Sequence, residues 1–463
     1  MSRLVVVSNR VADPARNAGA GGLAVAVGEA LNEQGGIWLG WSGEVIAETD
    51  RRLDWQETRS GDVRLVTTPL SEHEYEGYYL GYSNQVLWPG FHYRLDLIDY
   101  SPEHEHVYAQ VNRRLAQKLT TLLEPDDIIW VQDYHLIPLA RELRAAGCGN
   151  PIGYFQHIPL PPPSVLSGIP GHESLMRALF AYDVVGFQTG TDRQHFGEIA
   201  KTLDPEASVE ERYMIAFGRQ SLVQAYPIGI DVAAFREMAE TDEAAAIVER
   251  VRQRNLEREQ IIGVDRLDYS KGLPERMEAM EKLLENYPEN WGRTTFMQIA
   301  PLSREQVYAY SEIRNRLESL SGAINGRFSD FDWTPIRYIN RNIPRATLAA
   351  LFRASRVGLV TPLRDGMNLV AHEFVAAQDP EDPGVLVLSS FAGAAEYLHA
   401  ALMVNPYNIN EMANAIETAL TMSLSERQSR YEQLYKSVRA LDVSHWRSRF
   451  LQDLARYSPG GTA

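Results

Sequence analysis

The stretch Gly263–Gly272, GVDRLDYSKG, sets Arg266 and Lys271 just beyond a β-branched run, QIIGV. Two cations in that position can neutralise a diphosphate. A lone Arg–Lys pair is more often a pair of solvated charges. What favours a ligand here is position, because ligands of α/β sheets bind beyond the carboxyl ends of the strands. The stretch Val360–Phe374, VTPLRDGMNLVAHEF, is richer still. A strand ends at Thr361, and Asp365, Gly366, Met367 and Asn368 lead into a helix. Free N–H groups at a helix start favour an anion by ~0.3–1 kcal/mol. Glu373, about one and a half turns further along, would reach the ribose hydroxyls of a nucleotide whose phosphates rest on that helix end. The plainer alternatives are an N-cap role for Asp365 and an exposed helix carboxylate for Glu373.

In the first half, Asp133 and His135 follow IIWVQ, and His157 follows IGYF. A single histidine is more often structural, but here two successive strands end in polar residues. The segment Gly77–Arg94, GYYLGYSNQVLWPGFHYR, is unusually aromatic. Its Tyr79 and Trp88 suit stacking on a sugar ring, or else a core cluster. APLSR puts Arg304 after another strand, at a helix start. Ser8–Ala24, SNRVADPARNAGAGGLA, invites comparison with the dinucleotide fingerprint G-x-G-x-x-G. Spacing excludes it: eight residues separate Arg10 from Gly19, the order is Gly19-Ala20-Gly21-Gly22, and IWLGW runs into Trp41-Ser42-Gly43 rather than an acidic residue. What remains is a glycine loop opening a helix, able to offer backbone N–H groups to an anion.

Such residues need a scaffold, and the chain alternates short β-branched runs with longer amphipathic ones, the pattern of βαβ units and a parallel sheet. The strand candidates are RLVVVS, IWLGW, VRLVTT, DIIWVQ, IGYFQH, DVVGFQ and LVQAYPIG, then QIIGV, TFMQIA, IRYI, RVGLVT, GVLVLS and LMVNP. Between the two groups lies a charged, helix-favouring run starting at Asp231, which puts a domain boundary near residue 236. The expected domains are residues 1–236 and 237–440, with a C-terminal helix over 441–463 packing back on the first domain. Trp446, Phe450, Leu454 and Tyr457 stand at helical spacing in that last segment, as a docking stripe would.

The 463 residues carry a net charge of −16, which argues against nucleic acid or an anionic membrane as partner. The one cysteine, Cys148, excludes an internal disulfide and reads as a buried or half-buried thiol. Leu4–Val7 is too brief for a signal-peptide core. No run approaches the ~18 apolar residues of a membrane span, so a cytoplasmic enzyme is the expectation.

Together the segments VVVSNR, GGLA, GWSGE, VLWPGFHYR, DYHL, HIPLP, YPIGI, DRLDYSKGLPER, QIAPLSR, VTPLRDGMNLVAHEFVAAQ and MVNPY resemble the trehalose-6-phosphate synthase family of retaining glycosyltransferases, in family order and over almost the whole chain. The resemblance implies an α/β protein of the GT-B class, with two Rossmann-like doubly wound parallel-sheet domains facing a central cleft. It implies glucosyl transfer from a nucleoside-diphosphate glucose, UDP-glucose favoured, to glucose 6-phosphate, giving α,α-trehalose 6-phosphate. On it, Arg10, Tyr79 and Arg304 meet the acceptor phosphate, Trp41 and Trp88 shape the acceptor pocket, and Asp133 holds acceptor hydroxyls. His157 meets the donor glucose and Gly22 the donor phosphate. Arg266 and Lys271 grip the diphosphate, and Asp365 with the Gly366, Met367, Asn368 and Leu369 backbone holds glucose and phosphate. Ile299 and Ile343 line the donor site, and Glu373 takes the ribose. Ile343 stands where a bacterial relative has an aromatic residue beside the base, so GDP- and ADP-glucose stay open as donors.

The implied catalytic set is Arg266, Lys271, Asp133, His157 and Asp365, with no metal and no cofactor, the nucleotide sugar being a substrate. Retention would come from front-face attack, with the leaving phosphate accepting the hydroxyl proton. A double displacement needs a carboxylate nucleophile, for which Asp133 is the first to test. Asp330 and Asp332 in SDFDW form an Asp-x-Asp pattern expected to be an ordinary polar loop. No second domain carrying an Asp-x-Asp-x-Thr/Val phosphatase motif is expected, so a separate trehalose-phosphate phosphatase is expected downstream. A homo-oligomer is expected by analogy with relatives. The alternatives are a related transferase acting on another sugar phosphate or a cyclitol, and a sugar-phosphate sensor without turnover.

Overall fold

The computed structural model describes residues 2–11, 27–28, 30–31, 35–47, 54–255, 258–302 and 308–457. The chain gathers into two compact units, Met1–Pro227 with Ser444–Ala463, and Ile228–Val443. The expected boundary at residue 236 falls inside the helix Val232–Glu240, which belongs wholly to the second unit. Asp231 caps that helix by accepting from Ala234 N at 2.9 Å, so the helix begins where the charged run does, ahead of residue 236.

The first unit's strands are β1 (Leu4–Arg10), β2 (Gly36–Ile46), β3 (Gln56–Ser60), β4 (Val63–Ser71), β5 (Ile128–Gln132), β6 (Ile152–Phe155), β7 (Val184–Phe187), β8 (Ser208–Val209), β9 (Tyr213–Ala216) and β10 (Arg219–Ala225). Their spatial order is β3-β4-β2-β1-β5-β6-β7-β10-β9-β8. The central strands pair in parallel, and Leu4–Val7 and Ile129–Val131 are fully buried, as helix cover on both faces demands. The two rims depart from the expected parallel sheet. β3 runs antiparallel to β4, and β9 antiparallel to β10 and β8. At one rim the cause is a two-residue turn, Phe217–Gly218, with φ of 53° and 72° at the two positions, the geometry of a tight antiparallel hairpin.

The second unit's strands are β11 (Glu259–Val264), β12 (Thr294–Ile299), β13 (Ile336–Ile339), β14 (Val357–Val360), β15 (Val385–Ser389) and β16 (Leu402–Val404), all parallel, in the order β13-β12-β11-β14-β15-β16. In each unit the winding reverses once, between β1 and β5 in the first and between β11 and β14 in the second. A reversal parts the loops that leave neighbouring strands, and the crevice so made is where α/β sheets bind ligands.

The helix Val443–Arg456 closes the first unit. Phe450 stacks on Trp130 (5.3 Å between centroids) and meets Tyr226 (5.1 Å) and Phe155 (6.0 Å) edge-on. Gly153 and Gly186 make room for it: a Cβ on either would come within 2.7–2.8 Å of the Phe450 ring. Trp446 packs on Trp130 at 5.0 Å, and Leu454 is fully buried. Each such side chain contributes ~1.5–3 kcal/mol by burial. Among the described residues no helix is long and apolar enough to cross a membrane.

Candidate active site

Two loops meet at the reversal of the second sheet. One leaves β11 as Asp265–Gly272. Asp268 shapes it by accepting from the backbone N and Oγ of Ser270 (3.0 and 2.9 Å) and from the Tyr310 hydroxyl (3.0 Å). Gly272 ends it at φ 65°, and a Cβ there would lie 2.3 Å from the carbonyl oxygen of Thr361. Only glycine lets the two loops approach so closely. The other loop leaves β14. Leu363 N donates to Ser270 O at 2.8 Å, and Asp365 N to Phe391 O at 3.2 Å. These bonds bring the Lys271 ammonium into a short ion pair with Asp365 Oδ2. Arg266 is more open, with its Nε 3.6 Å from Asp268 Oδ2.

Asn368, not Asp365, caps the helix Leu369–Ala377. Its side chain accepts from Val370 N at 3.2 Å while its backbone holds φ 72°. That corrects the N-cap alternative for Asp365, whose carboxylate is turned to Lys271. Asn368 Nδ2 also donates to Asp365 Oδ2 at 3.1 Å. Further along the helix, Glu373 Oε1 is 3.3 Å from the Arg345 guanidinium. Burial pushes its carboxyl up, and Arg345 pulls the other way. Ile343 is half-buried two residues before Arg345. Ile299 is buried at the end of β12, with its carbonyl accepting from Asp265 N at 3.1 Å. Gly366 and Met367 are buried, and Met367 O accepts from Ala394 N at 2.9 Å.

In the first unit the reversal lies between Arg10, at the end of β1, and Asp133, just past β5. The Arg10 guanidinium sits 6.0 Å from the Trp41 ring, Trp41 is 5.3 Å from Tyr79, and Tyr79 stacks on His135 at 6.1 Å. Trp88 meets Tyr134 at 5.8 Å. The expected sugar-stacking residues are therefore also a cluster, with Trp41 and Trp88 only 7% and 4% exposed. The segment Tyr75–Leu87 that carries Tyr79 is wound as a π-helix, a rare form that is frequent at functional sites. Asn84 fixes it, donating to Tyr79 O at 2.7 Å and accepting from the Tyr134 hydroxyl at 3.1 Å.

Asp133 has φ 72° and ψ 170°, a conformation costing a non-glycine residue ~1–3 kcal/mol. Its Oδ1 accepts from His157 N at 3.1 Å. The His157 imidazole faces Gln132 Oε1 through Nε2 at 2.9 Å and packs against Phe155 and Trp446. Burial pushes its pKa down to about 3, so the ring is neutral at neutral pH.

Gly22 and Arg304, expected at the donor and acceptor phosphates, lie outside the described residues. Asp332 is held by Arg258 at 2.8 Å, and Asp330 Oδ1 accepts from Phe331 N at 2.7 Å. Among the described residues no three His, Cys, Asp or Glu side chains are grouped to hold a metal ion. Cys148 is half-buried, and burial raises its thiol pKa. A cavity of about 610 Å³, lined among others by Arg236, Glu240, Tyr435 and Arg439, includes none of the expected site residues. Spacing missed Tyr78, Asn84, Asp265 and Arg276. The one available signal was for Arg276, which falls on the apolar stripe of Leu273, Met277 and Met280 where a surface arginine has no place.

Two sheets that each reverse once, with polar and cationic side chains gathered at the reversal, are the architecture of GT-B glycosyltransferases. Residues 6–456 match Glycosyltransferase family 20, and the chain belongs to that family. It is 48% identical over 463 residues to a trehalose-6-phosphate synthase of Enterobacter sp. (strain 638), covering 99% of this chain and 96% of that one. It is also similar to the crystal structure of a UDP-forming α,α-trehalose-phosphate synthase of Burkholderia xenovorans in complex with glucose 6-phosphate. There the TM-score is 0.93 at 48% identity, over 98% of this chain and 100% of the other. An E. coli structure of the same kind, bound with UDP-2-fluoro glucose, gives a TM-score of 0.94 at 46% identity over 99% and 100%.

Proposed function

We propose that this glycosyltransferase moves glucose from UDP-glucose to glucose 6-phosphate with retention, giving α,α-trehalose 6-phosphate. The observation that carries the reading is the Lys271–Asp365 pair at the reversal of the second sheet, beside a helix start. An ammonium there meets the leaving diphosphate, and the carboxylate meets a sugar hydroxyl. Arg266, whose side chain is 42% exposed beside Asp268, adds a second charge for the phosphates. One well-aimed donor at developing charge is worth ~10²–10³ in rate, so these groups suffice without a metal. Arg10 and Tyr79 suit an anionic acceptor, and the aromatic surround of Trp41 and Trp88 suits the C–H faces of its sugar. His157, neutral and donating through Nε2 to Gln132 Oε1, keeps Nδ1 to accept a hydrogen bond from a hydroxyl of the donor glucose but does not carry charge. Attack from the front face then uses the leaving phosphate as base. The choice of uridine rests on the UDP-forming relatives. The reading extends to a homo-oligomer acting in the cytoplasm, with a separate phosphatase consuming the product.

The test is incubation with UDP-, GDP- and ADP-glucose, with and without glucose 6-phosphate and a chelator. The product is identified by mass and by anomeric couplings in NMR. An α,α-linked disaccharide phosphate formed from UDP-glucose, undiminished by chelation, is expected. Its absence with every donor overturns the reading, and loss on chelation with recovery on Mn²⁺ overturns the metal-free part. In the same assay Arg266→Ala mainly lowers kcat, by about 10²-fold or more, and Arg10→Ala mainly raises KM for glucose 6-phosphate.

A further inference from the structure

Arg276 is 0% exposed in the helix Leu273–Asn286, beneath the Lys271–Asp365 pair. Taking a guanidinium out of water costs several kcal/mol, and a well-packed apolar residue at such a place is often as stabilising or more so. Packing alone therefore does not account for an arginine here. Its bonds reach three residues in two loops. Nη2 donates to Asp265 Oδ2 at 2.7 Å, past the end of β11, and to the Lys271 carbonyl at 3.1 Å. Nε donates to Thr361 Oγ1 at 3.1 Å, past the end of β14.

The other oxygen of Asp265 accepts from Asn368 Nδ2 at 3.3 Å, and Asn368 donates in turn to Asp365 Oδ2, which also takes the Lys271 ammonium. The bonds thus close a ring that runs from Arg276 through Asp265, Asn368, Asp365 and Lys271 back to Arg276. Among the described residues no donor faces Asp365 Oδ1, and two hydrogens of the Lys271 ammonium remain for another acceptor.

We propose that Arg276 is a positioning residue for transfer: through this ring it holds the Lys271 ammonium and the Asp365 carboxylate in place before the donor binds. The proposal rests on the reading above, in which those two groups meet the diphosphate and the sugar. It places Arg276 outside the reacting atoms, so its removal acts on turnover and not on the grip on nucleotide.

The test compares Arg276→Met, which can pack in the same space, with Thr361→Val, which removes one acceptor of the guanidinium at constant shape. Arg276→Met is expected to lower kcat about 10–100-fold while KM for glucose 6-phosphate and Kd for UDP stay within about threefold, the mark of an interaction that counts in the transition state alone. Thr361→Val is expected to lower kcat by about threefold or more. A readout independent of turnover is the acetylation rate of Lys271 by acetic anhydride, followed by peptide mass spectrometry. Opening the ring frees the amine, and the rate in either variant is expected to rise about fivefold. Wild-type kcat or an unchanged Lys271 acetylation rate in Thr361→Val overturns the proposal even if Arg276→Met does not fold. A parent protein that turns over no nucleotide-glucose counts against the proposed function, while the Lys271 reactivity still decides for or against the ring.

Discussion

Asp133 carries a backbone conformation that only glycine adopts without cost. On the proposed function, a carboxylate is kept there for its chemistry, at the expense of stability. Asp133→Gly is therefore expected to be more stable than Asp133→Ala by about 1–2 kcal/mol in urea unfolding, with both variants losing most turnover. Equal stabilities would show that the strain is not real. The residues that bear charge at strand ends were legible in the sequence, because their position after an apolar run is itself the signal. Their states were not. Lys271 read as a diphosphate ligand or a solvated cation, and Asp365 as a ligand of glucose and phosphate or a plain cap; that the two are ion-paired was in neither reading. Arg276 was passed over, because its place on an apolar stripe speaks for burial but does not tell which aspartate it meets. Such facts belong to pairs far apart in the chain, such as Asp265 with Arg276 and Lys271 with Asp365, which spacing cannot supply.

The helix Leu369–Ala377 shows what an element adds to its residues. It starts at the candidate site through Asn368 and buries His372 completely on its other face, with neither ring nitrogen hydrogen-bonded among the described residues. Burial pushes the His372 pKa down to about 4. The folded state thus takes up its proton later than the unfolded chain does as pH falls. The stability this neutral ring allows is complete above about pH 6.5 and is lost as pH drops towards 4. Between pH 7 and 5.5 the parent should lose about 1.2 kcal/mol more than His372→Met in urea unfolding. An identical loss in both would mean that the ring takes up its proton over the same pH range folded as unfolded. At this scale the central strands were readable, since β-branched runs such as VVVS and IIWV have no other good use in a soluble protein. β3 and β9 were not, because QETRS is exposed and charged and the β9 hairpin turns on Phe217, which carries no turn signature. The π-helix over Tyr75–Leu87 has no sequence period that would separate it from an α-helix.

On the scale of the whole molecule, each unit sets described candidate residues at the single reversal of its sheet, Arg10 and Asp133 in the first and Lys271 and Asp365 in the second. The proposed function divides accordingly: nucleotide on the second unit, sugar phosphate on the first. Hydrogen exchange can follow the two separately. UDP at about 100 times its Kd stabilises what it binds by roughly 2.7 kcal/mol. Exchange should slow in 263–273 and 361–369 with UDP, and in 8–10, 75–92 and 132–136 with glucose 6-phosphate. The opposite assignment would mean that acceptor and donor have been exchanged between units. The alternation of strand and helix made the two sheets legible, whereas the reversal points follow from strand order, which one sequence does not state.

The return of the last helix to the first sheet has a consequence for synthesis. Trp130, Phe155 and Tyr226 leave the ribosome long before Trp446 and Phe450 exist. At ~5–20 residues per second, the ~220 residues from Tyr226 to Trp446 take roughly 10–45 s to make. Throughout that interval the nascent chain shows its neighbours an aromatic face that only its own final turns can cover, which makes it a client for whatever shields emerging chains.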